Sequence, residues 1–499
     1  MRVLRGAVRV FLTLLPAAAA LTAAEVVLLG LGLGGTPALT SRGFDAAAAY
    51  IVPDPARPGG WRTQMFDGTA PEREVPPRDP AKHRVLLFGG SNTGGFPPAA
   101  LAFALDHGTD ASTPRAEVIN LGRAGYGSGR VAILFEQALA LKPQSVVIYA
   151  GHNEFVEAGF EAEVAEHLSP TLRKAATAAT GLRTFNALCD AIRAGGGAPQ
   201  SNPTPKAWSG EFERFKDFTY DQTLAQLEQY RANLTTMCRM ARERGIDVVI
   251  CTVISNPLAP PFSSTWPPEL SEANRRRARL ELFAAHEAFP KRFAAVIADA
   301  PADRTHAQDW RRPARPLPPD GKVPTLREWP SPVRGGYHLI PPPEHWSDLA
   351  RELAIAHEAF FARVLTDAER VALETARSHL ETALAIVPDH PAGNFRLGAA
   401  RWLLGDDQGA RDAFANAARF DRAPRKGSDA TNEIVEAVAA SVEGVRFFDA
   451  AALYAQRAPN GLIGLELMKD ECHLHERGYR VLMHDLADFM RGRAPEEGL

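Results

Sequence analysis

"VLLFGGSNTGG" (residues 85–95) runs from four apolar residues straight into a glycine-rich turn that carries one serine. A short apolar run that stops at Gly, Asn or Ser reads as a buried strand entering a loop. The same grammar returns in "VIN" (118–120), "VVIYA" (146–150) and "DVVICTVI" (247–254). Between these runs lie amphipathic stretches such as "YDQTLAQLEQYRANLTTMCRMARERG", whose apolar positions recur at helical spacing. Strand then helix, repeated, predicts the α/β class with a parallel sheet covered on both faces. A fifth run of the same character, "VRFFDA", comes only at residues 445–450, so the chain between must be an insert.

The chain has 499 residues, for which two or three domains are the prior expectation. Its 45% hydrophobic and 23% charged content is that of globular protein, and a formal charge of −3 gives no case for nucleic acid as a partner. Cys189, Cys238, Cys251 and Cys472 show no paired spacing, so no disulfide framework is expected.

The N-terminus has its own signal. Arg2, Arg5 and Arg9 precede "FLTLLPAAAALTAAEVVLLGLGLGG", whose single charge is Glu25. A membrane-spanning helix needs ~20 mostly apolar residues, and basic flanks stay in the cytoplasm. A cleaved signal peptide competes, since "AAAALTAA" offers small-residue cleavage sites. The apolar run continues through "VVLLGLGLG", which favours an uncleaved anchor. The expectation is a cytoplasmic n-region at 1–9, a single-pass transmembrane anchor at 10–34 and a linker at 35–80. The rest of the chain would then face the periplasm of a bacterial inner membrane.

The sheet domain is expected in two pieces, 81–260 and 424–490. Between them a Pro-rich and helical insert occupies 261–369, with "RRPARPLPPDGKVP" inside it, and helices occupy 370–423. Ala376, Leu380 and Ala383 recur 34 residues later as Ala410, Phe414 and Ala417, with Leu397, Gly398 and Gly405 between. That period resembles tetratricopeptide repeats, which often hold a protein partner; an unrelated helical hairpin is the alternative. One and a half units fall short of the three a free-standing array needs. These helices are expected to pack on the sheet domain or on helices at 270–298.

Ligands of a parallel sheet gather at the carboxyl ends of its strands. Ser91 follows the first strand, though the Lys-Ser/Thr of a phosphate loop and a GxGxxG spacing are both missing. Asn120, Gly122 and Gly125 follow the second. Gly151, His152, Asn153 and Glu154 follow the third. A serine, a glycine amide and an asparagine amide at adjacent strand ends are the parts of a nucleophile with an oxyanion hole, given a base. "KDECHLHERGY" (469–479) offers one, because Asp470 and His473 stand three apart in a turn. With Cys472 the same stretch also reads as a zinc site. That reading needs every ligand from one turn and finds no second ligand pair elsewhere, so the Asp–His pair is preferred. Cys472 is then expected to point away from His473 as a packed thiol. His152 is expected either to line the pocket or to cap a helix, and Glu154 to be structural.

In this order, Ser91, Asn120 with Gly125, Gly151-x-Asn153-Glu154 and Asp470-x-x-His473 resemble the SGNH/GDSL hydrolase family. The resemblance covers residues 83–155, 220–260 and 426–490. It implies a flavodoxin-like three-layer sheet, Ser91 as nucleophile, His473 as base and acid, and Asp470 as its orienting carboxylate. The Ser91 and Gly125 amides and the Asn153 side chain would form the oxyanion hole, with His152 touching substrate. An acyl ester is the implied substrate, with no cofactor and no metal. Two departures stand out: Gly89-Gly90-Ser91 replaces the usual Gly-Asp-Ser, and His475 stands where a small or amide residue is common. Acyl transfer to an envelope glycan would use the same residues. A scaffold built on the repeat helices, beside a weakly active hydrolase domain, is the reading from another class.

Overall fold

The apolar runs form β1 (Lys82–Gly89), β2 (Arg115–Asn120), β3 (Ser145–Tyr149), β4 (Asp247–Cys251) and β5 (Val445–Phe448). They lie in the order β2-β1-β3-β4-β5 and every neighbouring pair is parallel. The chain is thus a mixed α/β protein, and its strand order is compatible with a flavodoxin-like fold. Register places Val85 beside both Val118 and Ser145, Val147 beside Val249, and Ile250 beside Phe447.

The computed structural model describes the chain except residues 1, 35–43, 45, 47–48, 64–72, 108–112, 114, 168–169, 196–216, 265, 268, 294–358, 464–466, 469 and 495–499. The Pro- and Arg-rich stretch 299–345 therefore lies outside the described residues. Two units are distinguished: Met1–Pro80 with Gly129–Lys142 and Ala158–Phe212, and Ala81–Ser128 with Pro143–Glu157 and Glu213–Leu499. The expected segment 81–260 is thus divided, with 129–142 and 158–212 assigned to the first unit.

Both sheet faces are apolar, as a doubly covered parallel sheet requires. Val85, Leu87, Val147, Tyr149, Val249 and Cys251 form a buried core with Leu101 of α2 (Pro98–Asp106) and Leu482, Met483 and Leu486 of α9 (Glu476–Met490). The alternate residues Leu86, Phe88, Val146, Ile148, Val248 and Ile250 are also buried. Helices α3 (Tyr220–Arg242) and α8 (Asp429–Ser441) pack together and against β4. A capping box starts α3: Thr219 Oγ1 accepts from the Gln222 amide and Gln222 Oε1 accepts from the Thr219 amide.

The insert in the same unit is helical where described. α4 (Glu272–Ala288) packs on α5 (Asp367–Ile386), which leads into α6 (Pro391–Leu404) and α7 (Asp407–Arg419). All six repeat positions, Ala376, Leu380, Ala383, Ala410, Phe414 and Ala417, are buried in one core with Leu282, Phe360 and Trp402. Gly398 is small of necessity, because a Cβ there would come within 2.8 Å of the Phe414 ring. Polar ties hold the helices to the sheet's loops: Asp421 accepts from the Phe262 and Ser263 amides, and Ser264 Oγ from the Ala392 amide.

In the first unit, the helix Arg2–Gly30 covers residues 10–30 of the expected 10–34 anchor. The side chains of residues 2–14 lie outside the described ones, and among those described no helix is long and apolar enough to cross a membrane. Glu25 accepts from the Arg183 and Thr184 amides and the Thr184 hydroxyl at the start of the helix Arg183–Gly195. The segment expected to be a linker carries three short antiparallel strands, Ile51–Pro53, Trp61–Thr63 and Glu74–Val75. Tyr50, Ile51, Val52 and Val75 are buried there. Strands of two or three residues among prolines leave no period to read.

Phe414 lies at the centre of the helical insert's core, 1% exposed. Phe414→Ala should destabilise this unit by ~3–5 kcal/mol, the cost of an aromatic cavity, in a urea titration. A loss below ~1 kcal/mol would show that the Gly398 side of the core collapses onto the gap.

Candidate active site

Ser91 opens α1 (Ser91–Gly94) directly after β1, so its side chain stands at the carboxyl edge of the sheet's central strands. His473 reaches it from the loop before α9. The Ser91 hydroxyl donates to His473 Nε2 at 2.7 Å, and Nδ1–H donates to the Asp470 carboxylate at 2.9 and 3.0 Å. These directions follow from the carboxylate, which can only accept. Asp470 Oδ1 also accepts from the Cys472 amide at 3.0 Å and the His473 amide at 2.6 Å. Although burial works against it, the bond and charge of His473 and these two amides bring the Asp470 carboxyl down to about 2. A hydroxyl bonded to an imidazole that a carboxylate orients is an activated nucleophile in geometry.

The curl around Asp470 overturns one expectation. With both amides drawn to one carboxylate, Cys472 does not point away: its Sγ lies 3.4 Å from His473 Nδ1. The ligand atoms of Asp470, Cys472 and His473 all lie within 4.8 Å of one another.

Asn256 braces this loop from the end of β4. Its amide donates to Glu471 O at 3.0 Å, and Nδ2 donates to Asp470 O at 3.3 Å. Asn256 O in turn accepts from buried Lys426 Nζ, which also reaches Ala259 O. Burial lowers the Lys426 amine to about 8, against the attraction of Asp421 and Glu471.

At the third strand end, one N–H of Asn153 Nδ2 is donated to Tyr126 O at 3.1 Å. Tyr126 follows Gly125, whose φ of +70° few other residues tolerate, in the turn closed by the Tyr126 amide on Arg123 O. Asn120 ties the second strand end to α1, donating to Thr93 O at 2.6 Å and Phe96 O at 2.9 Å while accepting from the Gly122 amide. The departure at Gly90 has a direct cause. A Cβ there would sit 2.2 Å from Asn153 Nδ2 and 3.0 Å from Tyr126 O, so no side chain has room. The missing side chain is what lets the Asn153 amide lie against the backbone that carries Ser91.

His152 is buried, and both ring nitrogens face protein. Nε2–H donates to Ile254 O at 2.9 Å, and Nδ1 lies 3.5 Å from Asn92 Nδ2, whose partner Oδ1 accepts from Tyr479. Burial first, and the neighbouring His473 second, push this imidazole down to about 4. It thus lies between the Ile254 carbonyl and the Asn92 amide, next to the turn that carries Ser91. Glu154 is fully buried and holds the Ser128 amide and hydroxyl. Burial, then the charge of Glu157, raise its carboxyl to about 8.

Ser91, Asp470 and His473 therefore meet in space, and Gly125 and Asn153 meet through the Tyr126 carbonyl. Sequence reading missed Asn92, Tyr479, Asn256 and Lys426. Asn256 lies in "CTVISNPLAPPFSS", where an Asn-Pro after a strand was a readable turn signal. The others act across the fold and leave no local mark.

No family model matches this chain, and no curated protein is similar to it in sequence. Among solved structures it is similar to a Bacteroides fragilis protein described as a "putative acylhydrolase". The identity is 18% over 43% of this chain and 69% of that one, with a TM-score of 0.19.

Two outcomes are expected. Gly90→Ala should fold yet lose at least ~10-fold of any Ser91-dependent activity, because the new Cβ must displace the Asn153 amide. Full activity would place that amide outside the reaction. For His152, the unfolded ring takes its proton near 6.5 but the folded ring only near 4. The unfolded chain binds the proton first, so this group lowers stability as pH falls through that window, by roughly 3 kcal/mol in all. In urea titrations the stability deficit of His152→Asn should shrink from pH 6.5 to 4; a constant deficit would contradict a buried neutral ring.

Proposed function

We propose that this chain is a serine ester hydrolase of the SGNH/GDSL type, acting on an acyl ester outside the inner membrane. The observation that carries the reading is the unbroken hydrogen-bonded line from Ser91 Oγ through His473 to Asp470. In this reading Ser91 attacks the ester carbonyl as its proton passes to His473 Nε2. Asp470 holds the ring in the tautomer that can accept that proton and stabilises the imidazolium. The oxyanion of the tetrahedral intermediate is held by the Ser91 and Gly125 amides and the second N–H of Asn153. His473 returns the proton to the leaving alkoxide. Water, activated by the same ring, then attacks the acyl-serine and restores the hydroxyl.

The N-terminal helix would hold the enzyme in the membrane, with Arg2, Arg5 and Arg9 on the cytoplasmic side. The helices at 370–423 would seat a protein partner in the manner of tetratricopeptide units. If the acyl group passes to a sugar hydroxyl instead of water, only the acceptor changes.

A fluorophosphonate should label Ser91 and no other residue. Ser91→Ala and His473→Ala should each remove most ester hydrolysis, and the double variant should be little worse, since the two act as a unit. Asn153→Ala should lower turnover ~10²–10³-fold with little change in KM. Intact labelling of His473→Ala would sink the reading. For topology, a phosphatase reporter fused at the C-terminus should be active and the protein should stay at full length in the membrane fraction. A shortened soluble product would mean that the leader is cleaved.

A further inference from the structure

Cys472 takes no part in the proposed reaction, yet its sulfur lies 3.4 Å from the Nδ1 nitrogen on which that reaction depends. Tetrahedral zinc with Zn–N of about 2.05 Å and Zn–S of about 2.3 Å sets its nitrogen and sulfur ligands about 3.5 Å apart. The Cys472–His473 pair already has that spacing. A carboxylate oxygen in the same shell would lie about 3.3 Å from the nitrogen. Asp470 Oδ2 stands 2.9 Å from that nitrogen, and the three ligand atoms lie within 4.8 Å of one another, so the carboxylate has to swing toward the sulfur to close the shell. Cys472 is 5% exposed, but the Asp470 and His473 side chains are 27% and 18% exposed, so the cluster is open to an ion from solution.

We propose that Asp470, Cys472 and His473 form an inhibitory site for Zn²⁺ or another thiophilic divalent cation. The proposal rests on His473 being the base for Ser91. The metal binds the Cys472 sulfur as thiolate, and the thiol proton leaves to solvent. It also takes the Nδ1 lone pair, and the single proton of the neutral ring moves from Nδ1 to Nε2. No electron changes hands. Nε2 then carries a hydrogen and donates to Ser91 Oγ across the contact where it formerly accepted. A ring in that tautomer cannot take the serine proton, and Asp470 is spent on the metal. The site thus works as a switch on the direction of one hydrogen bond. Mg²⁺ and Ca²⁺, which prefer oxygen ligands, should not trigger it.

The test uses the full-length protein, a fluorophosphonate and ZnCl₂. Micromolar zinc should slow Ser91 labelling at least tenfold, chelator should restore it, and millimolar Mg²⁺ should have no effect. Cys472→Ala and Cys472→Ser should label at near wild-type rates without zinc and need at least tenfold more zinc for the same inhibition. Co²⁺ gives a second readout, because a thiolate-to-cobalt absorption band should appear in wild type and be absent from Cys472→Ala. Equal zinc sensitivity of wild type and Cys472→Ala, or no Co²⁺–thiolate band, would overturn the proposal. If Ser91 fails to label even without metal, the hydrolase reading falls while the cobalt band still reports on the site. If chelator abolishes labelling and zinc restores it, the metal is required and both readings fail.

Discussion

One carboxylate organises the loop at residues 470–473. Asp470 accepts from two consecutive backbone amides and from an imidazole, all within three residues. The amides fix the curl of the loop, the curl aims His473, and the ring is held in the tautomer that faces Ser91. Remove the charge and all three bonds weaken together. The groups around it serve the same end: Asn256 grips the loop's carbonyls, and Lys426 grips Asn256.

This economy has a cost in buried polar groups. Lys426, His152 and Glu154 are taken from water, and each is pushed toward its neutral form by that burial. Their hydrogen bonds explain why they are tolerated, since a buried donor or acceptor without a partner costs more than its bond returns. The buried polar groups at the strand ends are consequently each tied to a backbone partner.

The sheet was legible because its signal is local. Runs such as "VVIYA" and "DVVIC" are continuous, β-branched and closed by turn residues, so each announces its own strand. Ser91, Asp470 and His473 were legible for a related reason: parallel strands bring their carboxyl ends together, so motifs far apart in sequence can be assigned to one place. Cys472 was misread because its direction depends on the Asp470 carboxylate capturing two amides, which spacing alone does not encode. The three short strands near residues 51–75 were missed because two or three residues carry no period. Gly90 was visible as a departure, but its reason needed the position of Asn153.

Ser91 and His473 are 382 residues apart in the chain yet share a hydrogen bond. β4 and β5 can pair only after the entire insert between them has been made. Loop closure over such a span is slow compared with local folding. During synthesis, therefore, Ser91 emerges hundreds of residues before the histidine it bonds to. The bond between them can form only once β5 and the Asp470 loop, the last parts of the sheet unit, have been made.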